Sequence, residues 1–163
     1  MIIIKKSGYL EYKNLKFRCA LGKAGIKKKK EEGDNITPVG TFKIIRVYYR
    51  RDKIKNIVTS IKKKEIKKTI GWCDDPASNY YNKEIKLPNK FGHERLYRKD
   101  NLYDLILVLN YNINPIIKNK GSAIFIHIAK KKYEPTAGCI ALKKKDLIEL
   151  LKNIKKNTKI KIR

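Results

Sequence analysis

Apolar and polar residues along this chain alternate in short runs more often than they recur at helical spacing, and that pattern predicts strands. Within residues 122–129, period-two alternation puts Ile124, Ile126 and Ile128 on one face of a strand and Phe125, His127 and Ala129 on the other. His127 therefore stands off the isoleucine face. Strands are also expected over residues 1–6, where an apolar run of four precedes two lysines, over 15–21, over 43–49, over 103–109 as a central strand, and over 158–162. Weaker strand patterns lie at 57–61 and 66–70, inside a basic and irregular stretch. Turn residues from Glu31 to Gly40 lead into the 43–49 strand, and 110–114 reads as a turn. The period changes after Leu142. Leu147, Ile148, Leu150, Leu151 and Ile154 fall at helical spacing over 144–153, with Asp146 in the first turn and Lys152 near the end, in the sense that suits the helix dipole.

No repeat or low-complexity linker divides the 163 residues, so the expectation is one domain over 1–163. Its class is mostly β, a sandwich or mixed sheet with one C-terminal helix packed on it. Charge is the strongest compositional bias: 41 Lys and Arg against 15 acids give +26. That balance would suit nucleic acid or another anionic polymer. Yet 34 of the cations are Lys and only 7 are Arg, the better bidentate reader of phosphate and bases, and Lys, Ile and Asn together make 72 of the residues. This drift resembles a codon-composition bias, so no specific nucleic-acid partner is expected and nonspecific contact with anionic polymers is the plainer reading. The run Lys27 to Lys30 reads as a solvated loop. Cys19, Cys73 and Cys139 form no CxxC pair and no zinc spacing, so no metal is expected, while a Cys19–Cys73 disulfide and two separate thiols both stay open.

The candidate chemistry centres on His127 and Cys139, separated by a return loop with Tyr133 and Pro135 and by Thr136-Ala137-Gly138. A neighbouring imidazole can take the proton of a thiol, whose unperturbed pKa is about 8.5, and make it a nucleophile toward carbonyls. Gly138, just before the thiol, permits a tight turn that leaves backbone N–H groups facing a developing oxyanion. The plainer alternative is a buried apolar cysteine and a hydrogen-bonded core histidine. Trp72, Asp74 and the two tyrosines after them either hold a peptide carrying an amine or form a turn packed on the core. His93, Glu94 and Arg95 offer a base, an acid and a cation able to bind a terminal carboxylate, or else a surface segment.

At these residues the chain resembles the L,D-transpeptidase catalytic domain family, also called YkuD. The family signature is a histidine on a strand, a variable loop, then Ser or Thr, His, Gly, Cys and an apolar residue; His127, Thr136, Gly138, Cys139 and Ile140 match it. Ala137 stands where the second histidine is usual and Ala141 where Arg or Asn is usual, a combination similar to a small, divergent, stand-alone branch with TAGC-type loops. Thr37-Pro38-Val39-Gly40-Thr41-Phe42 has the family's TPxGxF form, and the likeness spans nearly the whole chain. The resemblance implies a bacterial transferase of peptidoglycan biosynthesis, cell-wall organisation and cell shape. Cys139 would be the nucleophile, His127 the general base and acid, and the Gly138 backbone part of the oxyanion hole. It would need no cofactor and would use peptidoglycan stem peptides as substrate. Substrate contacts would come from Thr136, Trp72, Asp74, His93, Glu94 and Arg95, with His93 taking over some duty of the missing loop histidine.

Two rival readings stay open: a binding module with a degenerate site that holds wall polymer or nucleic acid, and a carboxypeptidase or amidase acting on wall peptides. The family implies the periplasm or cell envelope. The first residues carry no signal-peptide core and no stretch reaches the roughly 20 apolar residues of a membrane span, so a cytoplasmic location stays open as well.

Overall fold

The computed structural model describes residues 1–163. Eight strands close into a barrel: β1 (Ile2–Lys5), β2 (Tyr9–Tyr12), β3 (Leu15–Ala20), β6 (Gly40–Tyr49), β11 (Leu105–Leu109), β12 (Phe125–Ile128), β13 (Ile140–Leu142) and β14 (Lys159–Ile162). Closure depends on β6, the longest strand. Its first half, from Gly40 to Lys43, pairs antiparallel with β14, and its second half, from Ile44 to Tyr49, pairs antiparallel with β11. From β11 the ring continues through β12, β13, β3, β2 and β1 back to β14. Only the β12–β13 and β1–β14 pairings in the ring are parallel. A closed ring has no unpaired edge, which a mostly β chain of this size would otherwise expose. The short strand β7 (Lys63–Glu65) adds in parallel to the outside of β6.

Alternation along the strands builds two cores from one sheet. Leu105, Leu107 and Leu109 of β11 join Ile124, Ile126 and Ile128 in the larger cluster, while Ile106 and Val108 join Phe125 in a second one. The isoleucine face predicted from the sequence is thus the face that meets the helix α1 (Lys144–Asn153), whose Leu147, Leu150 and Leu151 are buried in the same cluster. The second cluster is roofed by a three-stranded antiparallel sheet of β8 (Ile70–Cys73), β9 (Glu84–Lys86) and β10 (His93–Arg95). Trp72 enters that cluster edge-on to Phe125, with ring centres 5.4 Å apart. A two-stranded parallel pair, β4 (Ile26–Lys27) and β5 (Thr37–Pro38), completes the sheets.

The mostly β class with one helix agrees with the expectation, and several boundaries move. The strand expected from Ser122 begins at Phe125, because Ala123 adopts φ +49°, a left-handed conformation that breaks the ladder. Residues 57–61 form no strand, although Ile61 is buried; β7 ends just before the second weak pattern and β8 begins at its last residue, Ile70. Lys29 departs from its solvated run: it is buried and its Nζ donates to Asp34 Oδ1 at 2.5 Å. Cys19 and Cys73 are free thiols in separate clusters. No helix is long and apolar enough to cross a membrane.

Leu150 is fully buried under the barrel. Leu150→Ala is expected to cost about 2–5 kcal/mol in chemical denaturation, against less than about 0.5 kcal/mol for the exposed Lys152→Ala.

Candidate active site

The loop before Cys139 is fixed by a small knot of backbone. Thr37, fully buried, accepts a hydrogen bond from Gly22 N–H at 2.8 Å and donates its hydroxyl to the Gly138 carbonyl at 2.9 Å. Gly138 has φ +133°, and a Cβ there would lie 2.8 Å from the Ile36 carbonyl oxygen, so both conformation and space require glycine. The first residue of the TPxGxF segment is therefore the anchor of the cysteine loop. Thr136 adds a second clamp: its hydroxyl donates to the Cys139 carbonyl at 2.6 Å and accepts the Gly138 N–H at 3.1 Å. The Gly138 amide is thus occupied, whereas the Cys139 N–H has no acceptor within the chain.

Parallel pairing of β12 with β13 sets the imidazole and the thiol on one face. His127 lies opposite Ala141, and Cys139, two residues before Ala141, projects to the same side. The thiol donates to the Ala123 carbonyl at 3.1 Å and its sulfur accepts the Phe125 N–H at 3.4 Å. His127 is buried, and its Nδ1 lies 2.9 Å from the Ile128 carbonyl. A carbonyl only accepts, so Nδ1 carries the proton and Nε2 presents a lone pair. Burial pushes the His127 pKa down to about 4, against a smaller upward effect of the Ile128 carbonyl. Burial, reinforced by the charge of Glu94, pushes the Cys139 thiol up to about 12. The pair rests as neutral thiol and neutral imidazole.

Two residues absent from the sequence reading connect to this pair. Tyr103 sets its ring edge-on to His127, 5.3 Å between centres, and to Phe125, and donates its hydroxyl to Glu94 Oε2 at 2.6 Å. Asn82 is buried with every polar group used: Oδ1 accepts from Trp72 Nε1 at 3.0 Å and from Ala123 N–H at 3.0 Å, and Nδ2 donates to the Tyr111 and Asn112 carbonyls. It thereby holds Ala123 in the strained conformation that aims its carbonyl at the thiol. No sequence pattern marks either role, since both depend on partners at least nine residues away.

The predicted substrate residues divide. Glu94 reaches Tyr103 and the thiol's surroundings, and burial raises its pKa, with Asp74 adding to the rise. Asp74 is itself raised, by burial and then by Glu32. Thr136 lines a pocket of about 270 Å³ together with Arg98, Tyr103, His127, Ala137 and Ala141. Trp72 is a core residue bonded to Asn82, His93 Nδ1 sits 2.6 Å from the Phe91 carbonyl, and Arg95 is exposed on β10. No group of three or more His, Cys, Asp or Glu side chains is arranged to hold a metal ion.

A family model described as the L,D-transpeptidase catalytic domain, YkuD, matches residues 1–162. The chain belongs to that family. No curated protein matches it. In this L,D-transpeptidase family member the two departures from the usual signature, Ala137 and Ala141, both line the pocket beside His127, where their small side chains leave room.

The imidazole's folded pKa lies below its ordinary value of 6.5, so between pH 6.5 and about 4 the unfolded chain binds the extra proton. Stability from this group is complete above pH 6.5 and is lost as pH falls toward 4, by about 3 kcal/mol in all. Urea unfolding at stepped pH should show that slope in wild type and lose it in His127→Phe. Glu94 opposes thiolate formation, so Glu94→Gln should move the pH dependence of Cys139 alkylation by iodoacetamide to lower pH.

Proposed function

We propose that this protein is a cysteine-dependent L,D-transpeptidase that acts on peptidoglycan stem peptides. The observation that carries the reading is the shared face of Cys139 and His127, with the Nε2 lone pair uncommitted, in a chain that belongs to the L,D-transpeptidase family. The acyl donor is a tetrapeptide stem. Its scissile carbonyl, between the third, diamino residue and the terminal D-alanine, displaces the thiol from the Ala123 carbonyl. As the C–S bond forms, His127 Nε2 takes the thiol proton. A thiol held near pKa 12 and an imidazole held near 4 favour transfer during attack over a preformed ion pair. The Cys139 N–H, free of any partner in the chain, receives the oxyanion. Gly138 contributes the turn that presents that amide, and its own N–H joins when the Thr136 hydroxyl turns away. The imidazolium then protonates the leaving nitrogen, the C–N bond breaks and D-alanine departs. An amine of a second stem attacks the thioester and passes its proton to His127; the C–S bond then breaks, the imidazolium returns that proton to the departing sulfur, and the crosslink is formed.

Water in place of the amine would make the same thioester a carboxypeptidase intermediate. Glu94 and Glu32, whose negative charges both act on the Cys139 thiol, favour an incoming amine. On this reading the working site is the periplasm or cell envelope, and fractionation of producing cells tests it.

Release of D-alanine from stem tetrapeptides, together with an intact-mass adduct after exposure to a carbapenem, is the direct assay. Cys139→Ala should abolish both, and His127→Ala should lower turnover by about 10²- to 10⁴-fold. Full activity in either variant would falsify the mechanism. No release by wild type, with salt-sensitive polymer binding that survives Cys139→Ala, would establish the binding-module reading instead.

A further inference from the structure

The pocket beside His127 has two cations in its wall, Arg98 and Lys130. Lys130 Nζ is committed to Glu134 at 2.8 Å. Arg98 donates through Nε and Nη2 to Asp100, and its Nη1 donates to nothing in the chain. Its guanidinium carbon lies 5.0 Å from the centre of the Tyr103 ring, the same ring that stands edge-on to His127 at 5.3 Å. Stacking and the Asp100 fork fix the plane of the guanidinium, so a group with an uncommitted donor is held in the wall of the same pocket as the imidazole without a large entropic cost on binding. The rest of the wall is uncharged, with Thr136, Ala137 and Ala141 beside His127, except for Glu134, whose carboxylate is paired with Lys130.

On the proposed function, His127 protonates the nitrogen of the departing D-amino acid. The α-carboxylate of that amino acid is two bonds from this nitrogen, so it must lie in the immediate neighbourhood of the imidazole. We propose that Arg98 is a specificity-determining residue that binds the terminal α-carboxylate of the donor peptide in this pocket, restricting the site to stems that end in a free D-amino acid. Arg95, the cation that the sequence suggests for a carboxylate, is exposed on β10 and is absent from the pocket wall.

This inference rests on the stem-peptide reading, and the experiment separates the two. In a Cys139→Ala background, where turnover is blocked, calorimetry compares two stem tetrapeptides that differ only at the C terminus, free carboxylate against carboxamide. A charge-assisted pair of this kind supports a gap of about 10- to 100-fold in Kd. The gap is expected with Arg98 in place, closed by Arg98→Gln through weaker binding of the acid alone, partly kept by Arg98→Lys and unchanged by Lys130→Gln. Equal binding of acid and amide, a gap that survives Arg98→Gln, or no binding of either peptide overturns the proposal. Absence of D-alanine release by wild type, with the Arg98-dependent gap intact, removes the catalytic reading and leaves the carboxylate site standing.

Discussion

One buried hydroxyl ties the active site to the barrel. Thr37 takes the Gly22 N–H and gives its own proton to the Gly138 carbonyl, joining the loop after β3, the strand β5 that precedes β6, and the loop that carries Cys139. Space at this knot is so limited that Gly22 has no room for a side chain: a Cβ would lie 2.3 Å from the Asn35 carbonyl oxygen and 2.9 Å from the Gly138 Cα. Three chain segments with little secondary structure of their own are thus held by contacts that admit only hydrogen and one threonine. The Cys139 amide and sulfur inherit their positions from that constraint.

Burial moves the Cys139 and His127 pKa values in opposite directions, and both shifts keep the groups uncharged. A surface cysteine and histidine would titrate within a few units of each other, whereas here the barrel wall and the roof over the second core separate them widely. Creating charge on either group therefore carries an electrostatic cost that a surface pair would not meet. Tyr103 links this pair to its surroundings: its ring borders His127 while its hydroxyl meets Glu94.

The parts of the fold legible in the sequence were those with a local period. Alternation placed His127 opposite the isoleucines, the helical spacing of Leu147, Leu150 and Leu151 gave α1, and glycine before cysteine marked the turn. Arg98, Tyr103 and Asn82 were not legible as site residues because nothing local distinguishes them: Asn82 acts on Ala123 from 41 residues away. Nor does alternation show that β6 pairs on two different strands and closes a ring, since pairing partners are a property of the whole chain. For Trp72 the sequence left two roles open, and the structure shows the packing one: its ring meets Phe125 edge-on and its N–H is bonded to Asn82.

Ala123 carries a cost that the rest of the domain must offset. A left-handed non-glycine residue is disfavoured by about 1–3 kcal/mol, a noticeable fraction of the stability of a domain this size. Glycine would remove that cost without leaving a large hole. A glycine there would also leave the Ala123 carbonyl freer to turn away from the sulfur. One methyl group thus sets backbone strain against the direction of the carbonyl that meets the thiol.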